Sequence, residues 1–192
     1  LSSLILKGRN VRLRPPCAED ADVRFALGTN AEIAEMYGVN REDIKPITRE
    51  GATQWVQGIA DHPHAWVIEI EGAFAGVIRL DKVNRRDRRA TMAIGIYDPA
   101  LLSKGFGTEA ITLLLAHAFG DMGLHRIGIR VLAYNKRAIR AYEKCGFVVE
   151  GRERETAYVN GAWHDDIMMG LLDREFSLLP LEGRSPPSGG RR

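Results

Sequence analysis

Two glycines one residue apart, Gly105 and Gly107, stand in the stretch "LLSKGFGTEA" directly before a long apolar run. A chain that enters a helix there exposes backbone N–H groups without intrahelical partners. The helix dipole adds partial positive charge, so the stretch offers a place for an anion. With no side chain at either glycine, a phosphate could approach those N–H groups closely. The same letters also fit a tight turn that merely starts a helix. Two nucleotide motifs fit poorly. A Walker A loop carries Lys and Ser or Thr after its second glycine, whereas Lys104 precedes both. A dinucleotide fingerprint tolerates Ala110 as its third glycine but wants an acidic residue about 20 residues on, which is absent.

Other reactive side chains are sparse. His62 and His64 flank Pro63 without an evident third ligand, so they read as loop histidines and no metal is expected. Cys17 and Cys145 are the only cysteines, far apart and in no metal-ligand spacing, which points to a reducing, cytoplasmic setting. Lys and Arg number 27 against 25 acidic residues; a net charge of +2 argues against a general nucleic-acid binder. No apolar run approaches the roughly 18 residues of a membrane span. The chain reads as one domain over residues 1–174, followed by a Pro-, Ser-, Gly- and Arg-rich tail over 175–192 that is expected to be disordered.

These residues need elements to position them. "NVRLRP" alternates and stops at Pro15, as a first strand should. Helical spacing follows, broken near Gly28 and Asn30, and a further helix is expected after Thr48 as N-cap. "AWVIEI", "FAGVIRL" and "RATMAIGIY" predict three strands in an antiparallel meander. After the glycines, Ala110, Leu113, Leu114, His117 and Ala118 form the stripe of a central helix. "HRIGIRVLA" predicts a strand and "NKRAIRAYEKCGF" a helix capped by Asn135 and stopped at Gly146; two last strands turn at "VNGA". The order implies an α+β fold with a mixed, mostly antiparallel central sheet flanked by helices. One parallel crossover joins the strand before the glycines to the strand after the central helix.

Asn135, Ala138, Tyr142 and Gly146-Phe147 are spaced as Asn, two residues, Ala, three residues, Tyr, three residues, Gly-Phe, about thirty residues after the glycine loop. Together with that loop they resemble the GNAT superfamily of acyl-CoA-dependent N-acyltransferases, over about Asn10 to Leu172. "LHRIGIRVLAYNKRAIRAYEKCGF" and "YVNGAWHDDIMMGLL" are similar to the branch holding ribosomal-protein N-terminal and polyamine acetyltransferases.

The resemblance implies acetyl-CoA as acyl donor, with the loop Lys104, Gly105, Phe106, Gly107 and Thr108 wrapping its pyrophosphate. It implies splayed central strands, with pantetheine lying along Ile94, Gly95 and Ile96, and the Ile96 N–H facing the thioester carbonyl. Asn135 and Ala138 would contact the pantetheine arm, and Tyr142 would protonate the leaving thiolate. Tyr37 and its segment would wall the acceptor cleft, and Asp165 could meet a cationic acceptor. The implied reaction is direct transfer of acetyl to a primary amine in a ternary complex, by a monomer or homodimer. The sequence departs from the family at Ala93, where many relatives carry a glutamate base; Glu69 or His125 could substitute. An α-amino group, with a pKa near 8, needs a base less than an alkyl amine does, which favours a protein N-terminus over a polyamine or other small amine. A CoA-binding sensor or scaffold without turnover is the alternative that the missing acid leaves open.

Overall fold

A computed structural model describes residues 4–177. Two strands open the chain, β1 (Leu6–Lys7) and β2 (Val11–Arg14), the second ending at Pro15 as expected. Then come α1 (Asp20–Leu27), α2 (Ala31–Glu35) and α3 (Arg49–Asp61). Gly28 closes α1 with φ 64°, and the Asn30 side chain caps α2 by accepting from the Ile33 N–H, so the break falls where the sequence put it. Thr48 caps α3 through the Gly51 N–H.

The meander follows as β3 (Ala65–Ile70), β4 (Ala73–Asn84) and β5 (Arg89–Ile96). Glu71 and Gly72 both take positive φ in the two-residue turn between β3 and β4, the geometry that matches strand twist. The remaining elements are α4 (Phe106–Gly120), β6 (Arg126–Leu132), α5 (Lys136–Lys144), β7 (Val148–Val159), β8 (Ala162–Leu172) and α6 (Asp173–Ser177). Residues 175–177, assigned by the sequence to the tail, belong to α6. Phe176 is buried there with its ring 5.5 Å from Phe119. The rest of the expected tail lies outside the described residues.

The eight strands form one sheet in the order β1-β2-β3-β4-β5-β6-β8-β7. Only β5 and β6 pair in parallel, with α4 as the crossover between them. β8 returns between β6 and β7, so the final hairpin inserts its second strand against the older sheet. That placement follows burial: Ile167, Met169 and Leu171 of β8 are buried, whereas β7 is exposed along most of its length.

The main core lies between the sheet and α4 with α5. It takes Leu13, Trp66, Ile68, Ile78 and Leu80 from the strands and Ile111, Leu114 and Leu115 from α4. The buried stripe of α4 runs through Ala110, Ile111, Leu114, Leu115 and Ala118. The sequence stripe through Leu113 and His117 was rotated by one position. His117 instead sits at the margin, edge-on to Trp66 and hydrogen-bonded to Asp121 at 2.8 Å. A smaller cluster of Val67, Phe74, Val77 and Ile59 fills the opposite face with Trp55 and Tyr97 packed against it.

Two polar anchors fix the start of the chain to this frame. Arg14 reaches Asp20 at 2.7 Å and Glu69 at 2.6 Å, with all three side chains largely out of water. Burial pushes the Asp20 carboxyl up, but Arg14 and the Cys17 N–H outweigh it and leave it below its usual value. Glu109, in the first turn of α4, accepts from the Asn10 N–H at 2.8 Å and the Val11 N–H at 3.1 Å, and these bonds also hold it below its usual value against burial.

Depressed carboxylates stabilise the fold above their unfolded pKa values and lose that contribution as pH falls through the folded ones. Stability should therefore decline on the acid side of about pH 4. Asp20→Asn should cost about 1–3 kcal/mol in denaturant melts at neutral pH and flatten that decline, because Arg14 loses one of its two carboxylate partners. A second expectation concerns Gly76, whose Cβ position falls on the carbonyl oxygen of Gly95 in the neighbouring strand. Gly76→Ala must push β4 and β5 apart and should cost about 1–3 kcal/mol in the same melts.

Candidate active site

β5 and β6 pair through Arg89–Arg126, Ala90–Ile127 and Thr91–Gly128, and then separate. From Met92 to Ile96, β5 keeps only its antiparallel neighbour β4, from Leu80 to Gly76. The splay expected from the resemblance is thus present, and it leaves backbone groups of β5 without a strand partner on that side. A cavity of about 330 Å3 opens at the gap, lined by Ile94 and Ile96 on one wall and Ala138 and Tyr142 on the other.

The glycine loop forms one end of this cavity, through Gly105, Gly107 and Thr108. Gly105 is left-handed at φ 89°, a conformation that other residues adopt only under strain, and no side chain caps α4 behind it. The first N–H groups of α4 therefore remain available, and they meet an electropositive helix end. A Cβ at Gly107 would meet only Ile96 Cδ1, at 3.6 Å, so packing does not demand glycine there; its absence keeps the cavity open. Lys104 and Phe106 do not line the cavity: Lys104 is exposed and Phe106 packs on the core.

Arg137, Arg140 and Lys144 add a cationic rim along α5. None of the three is ion-paired among the described residues. The sequence reading missed them, although their i, i+3, i+7 spacing on a capped helix was a signal for one charged edge. The rim can hold phosphates that the helix terminus alone could not neutralise.

Asn135 is buried and both ends of its amide are bonded, with one Nδ2 hydrogen left over. Oδ1 accepts from the Ala138 N–H at 3.1 Å, so it caps α5, and Nδ2 donates to the Met36 carbonyl at 3.3 Å. Beside it, the Tyr134 hydroxyl donates to the Glu35 carbonyl at 2.5 Å. These two side chains tie the end of α2 to the start of α5, and thereby set Tyr37 over the gap. The Tyr37 hydroxyl donates to the Ile94 carbonyl at 3.2 Å. Burial pushes this phenol up, while the Ile96 N–H acts the other way on the same oxygen. Tyr37 thus engages the very backbone groups of β5 that the splay frees.

Tyr142 is buried in α5 with its ring 6.0 Å from Phe147, and burial pushes its hydroxyl up to about 12. It faces the cavity and makes no hydrogen bond to a described residue, so its proton is retained at neutral pH and free to be donated. Cys145, one turn on, donates to the Thr108 carbonyl at 3.7 Å, and burial pushes its thiol up to about 11. It staples α5 to the loop end of α4 and is no thiolate nucleophile.

The remaining candidates fall elsewhere. Asp165 lies on the last hairpin, bonded to Arg152 at 2.7 Å and to the Glu155 N–H at 2.9 Å, away from the cavity lining. Glu69 is held by Arg12 and Arg14, and His125 faces Asp173 at 3.1 Å near the far end of β6. Neither stands beside Ala93, whose cross-strand neighbour is Arg79. Arg79 in turn holds Asp81 at 3.0 Å, and Asp81 also meets His62 at 3.1 Å. His62 accepts the His64 N–H on its other ring nitrogen, so both loop histidines are bound into local structure.

This geometry is that of known acetyltransferases. The family model described as "Acetyltransferase (GNAT) domain" matches residues 10–148. Spermidine N(1)-acetyltransferase of Escherichia coli is 29% identical over 168 residues, covering 87% of this chain and 88% of its own. The Bacillus subtilis protein named "Uncharacterized N-acetyltransferase YoaA" is 31% identical over 176 residues, covering 88% and 96%. The crystal structure of spermidine N-acetyltransferase from Vibrio cholerae in complex with CoA and spermine superposes with a TM-score of 0.73 at 24% identity, covering 88% of this chain and 98% of that one. The splayed sheet, the helix-end loop and the matched domain converge: this chain belongs to the GNAT family of acetyl-CoA-dependent N-acetyltransferases.

Proposed function

We propose that the cavity between β5 and α5 binds acetyl-CoA with its pyrophosphate on the N–H groups of Gly105 to Thr108 and its pantetheine along Ile94–Ile96. The observation that carries this reading is the Tyr142 hydroxyl, unbonded and facing the same cavity as Ile96 and the loop. The amine attacks the thioester carbonyl directly. With the Tyr37 hydroxyl displaced from it, the Ile96 N–H donates to the developing oxyanion, and such a donor contributes roughly 2.7 to 4 kcal/mol. Tyr142 donates to the sulfur as the C–S bond breaks. Asn135 acts by holding the Met36–Tyr37 turn and capping α5, which sets the height of Tyr142.

The acceptor is an α-amine, as at a peptide or protein N-terminus. Relatives named for spermidine support an amine acceptor in general. A polyamine leaves further ammonium groups to be neutralised, and the carboxylates on this face of the sheet are already engaged: Glu69 by two arginines, Asp81 by Arg79. An α-amine also compensates for the missing base, being partly neutral near pH 7.

Tyr142→Phe should lower kcat by roughly 10²- to 10⁴-fold and change acetyl-CoA affinity little. Stopped thiol release with unaltered calorimetric binding is the expected pair of readings, and unchanged turnover overturns the assignment. With no protein base, kcat/KM for an α-amine should rise with pH and level off near the acceptor's own pKa of about 8. Tyr142 stays protonated well above that range, so no alkaline fall should appear before about pH 10. A level profile from pH 6 to 8 would instead reveal a base within the protein.

A further inference from the structure

Arg24 differs from the other arginines that the fold withdraws from water. Arg14 holds Asp20 and Glu69, and Arg126 holds Glu150. Arg24, in the last turn of α1, has no carboxylate partner among the described residues. Nη1 donates to the Gly28 carbonyl at 2.5 Å, and Nε is buried with no hydrogen-bond partner. Its guanidinium instead lies 5.0 Å from the Tyr97 ring centre and 5.6 Å from that of Trp55. The two rings meet edge to face at 5.6 Å, and Phe74 stacks beyond Tyr97 at 6.4 Å. Aromatic faces offset only part of the cost of desolvating a cation, roughly 0.5 to 2 kcal/mol. The guanidinium is thus partly dried and short of an anion.

Its place gives that shortage a meaning. Tyr97 directly follows Ile96, and its hydroxyl stands 3.0 Å from the Cβ position of Gly95, as does the hydroxyl of Tyr37. One tyrosine ring therefore separates Arg24 from the strand on which the thioester is read. Along the same face, Arg79 stands across from Ala93. An acceptor approaching Gly95 from this side meets cations and rings, with its carboxylates already claimed by arginines.

We propose that Arg24 is a specificity residue that pairs with a carboxylate carried by the amine acceptor. This rests on the acetyltransferase reading above and narrows its substrate class to an α-amine with an acid group a few bonds away. Two sources share that chemistry: a free amino acid or dipeptide, and a longer peptide with Asp or Glu close behind its N-terminus. With Nη1 on the Gly28 carbonyl and Nε buried, Nη2 is the nitrogen left to meet the carboxylate, in a charge-assisted bond beside the aromatic wall.

The test measures thiol release from acetyl-CoA by the full chain against matched acceptors. These are N-terminal peptides with Asp or Asn at the second position, amino acids and their amides, and spermidine. The expected result is at least about tenfold higher kcat/KM for the acidic member of a pair, in line with a charge-assisted contact. The peptide pair or the amino-acid pair, whichever shows it, names the source. Arg24→Gln should shrink that ratio toward one by lowering kcat/KM for the acidic member more than for its neutral twin, and Arg24→Lys should restore part of it. A purely structural role for Arg24 would depress both members alike. Equal kcat/KM within every pair of the native chain, or spermidine as the preferred acceptor, overturns the proposal while leaving acetyl transfer standing. Failure of every amine to release thiol overturns acetyl transfer and this proposal together. The native-chain comparison decides the matter even if a variant does not fold.

Discussion

The parallel ladder between β5 and β6 lasts three residue pairs and stops at Thr91–Gly128, and the site is built from the consequences of that stop. A β-strand that loses a neighbour inside a sheet must satisfy its backbone groups some other way, because buried N–H and C=O groups left unpaired are costly. Here β5 diverges while still held on its other side by β4, through a glycine contact so close that no side chain fits between Gly76 and Gly95. The freed edge becomes a template for an extended ligand. Tyr37 bonded to the Ile94 carbonyl shows that the edge seeks a partner within the protein itself.

The elements around the gap are held by few contacts, each with more than one task. Asn135 caps α5 and grips the Met36 carbonyl; Cys145 fills the core and touches the Thr108 carbonyl; Glu109 starts α4 and binds the β1–β2 turn. The glycine loop, the helix carrying Tyr142 and the Tyr37 segment are therefore fixed to one another, as the proposed registration of a phosphate, a sulfur and an amine along a single strand requires. Positioning of that kind converts a bimolecular encounter into an oriented one.

Much of this was legible in the letters, and for local reasons. Thr48 and Asn135 as caps, the break at Gly28 and Asn30, Gly146 as a left-handed stop, and the hairpin turn at Glu71-Gly72 are decided by the backbone of a few adjacent residues. Features set by distant partners were not. The insertion of β8 between β6 and β7 depends on which hairpin strand can be buried. The one-residue rotation of the α4 stripe depends on the sheet below it. Asp165 looked available because its partner Arg152 lies across a bulged hairpin. Arg24 drew no attention because an arginine in a helix's last turn is ordinary until its aromatic neighbours, 31 and 73 residues away, are seen around it.

The acid role proposed for Tyr142 has to be reconciled with its burial. A phenol held at about 12 is a weak donor to a thiolate of ordinary basicity, and in water the transfer would be strongly uphill. Cys145, just past the end of the same helix, shows what burial in the neighbouring core does to a sulfur: its thiol is lifted to about 11. A thiolate leaving into that environment loses solvation as the phenolate would, so the two acids approach one another, and each remaining unit between them costs about 1.4 kcal/mol. In the proposed reaction, the desolvation that weakens Tyr142 as an acid would also raise the basicity of a sulfur buried beside it.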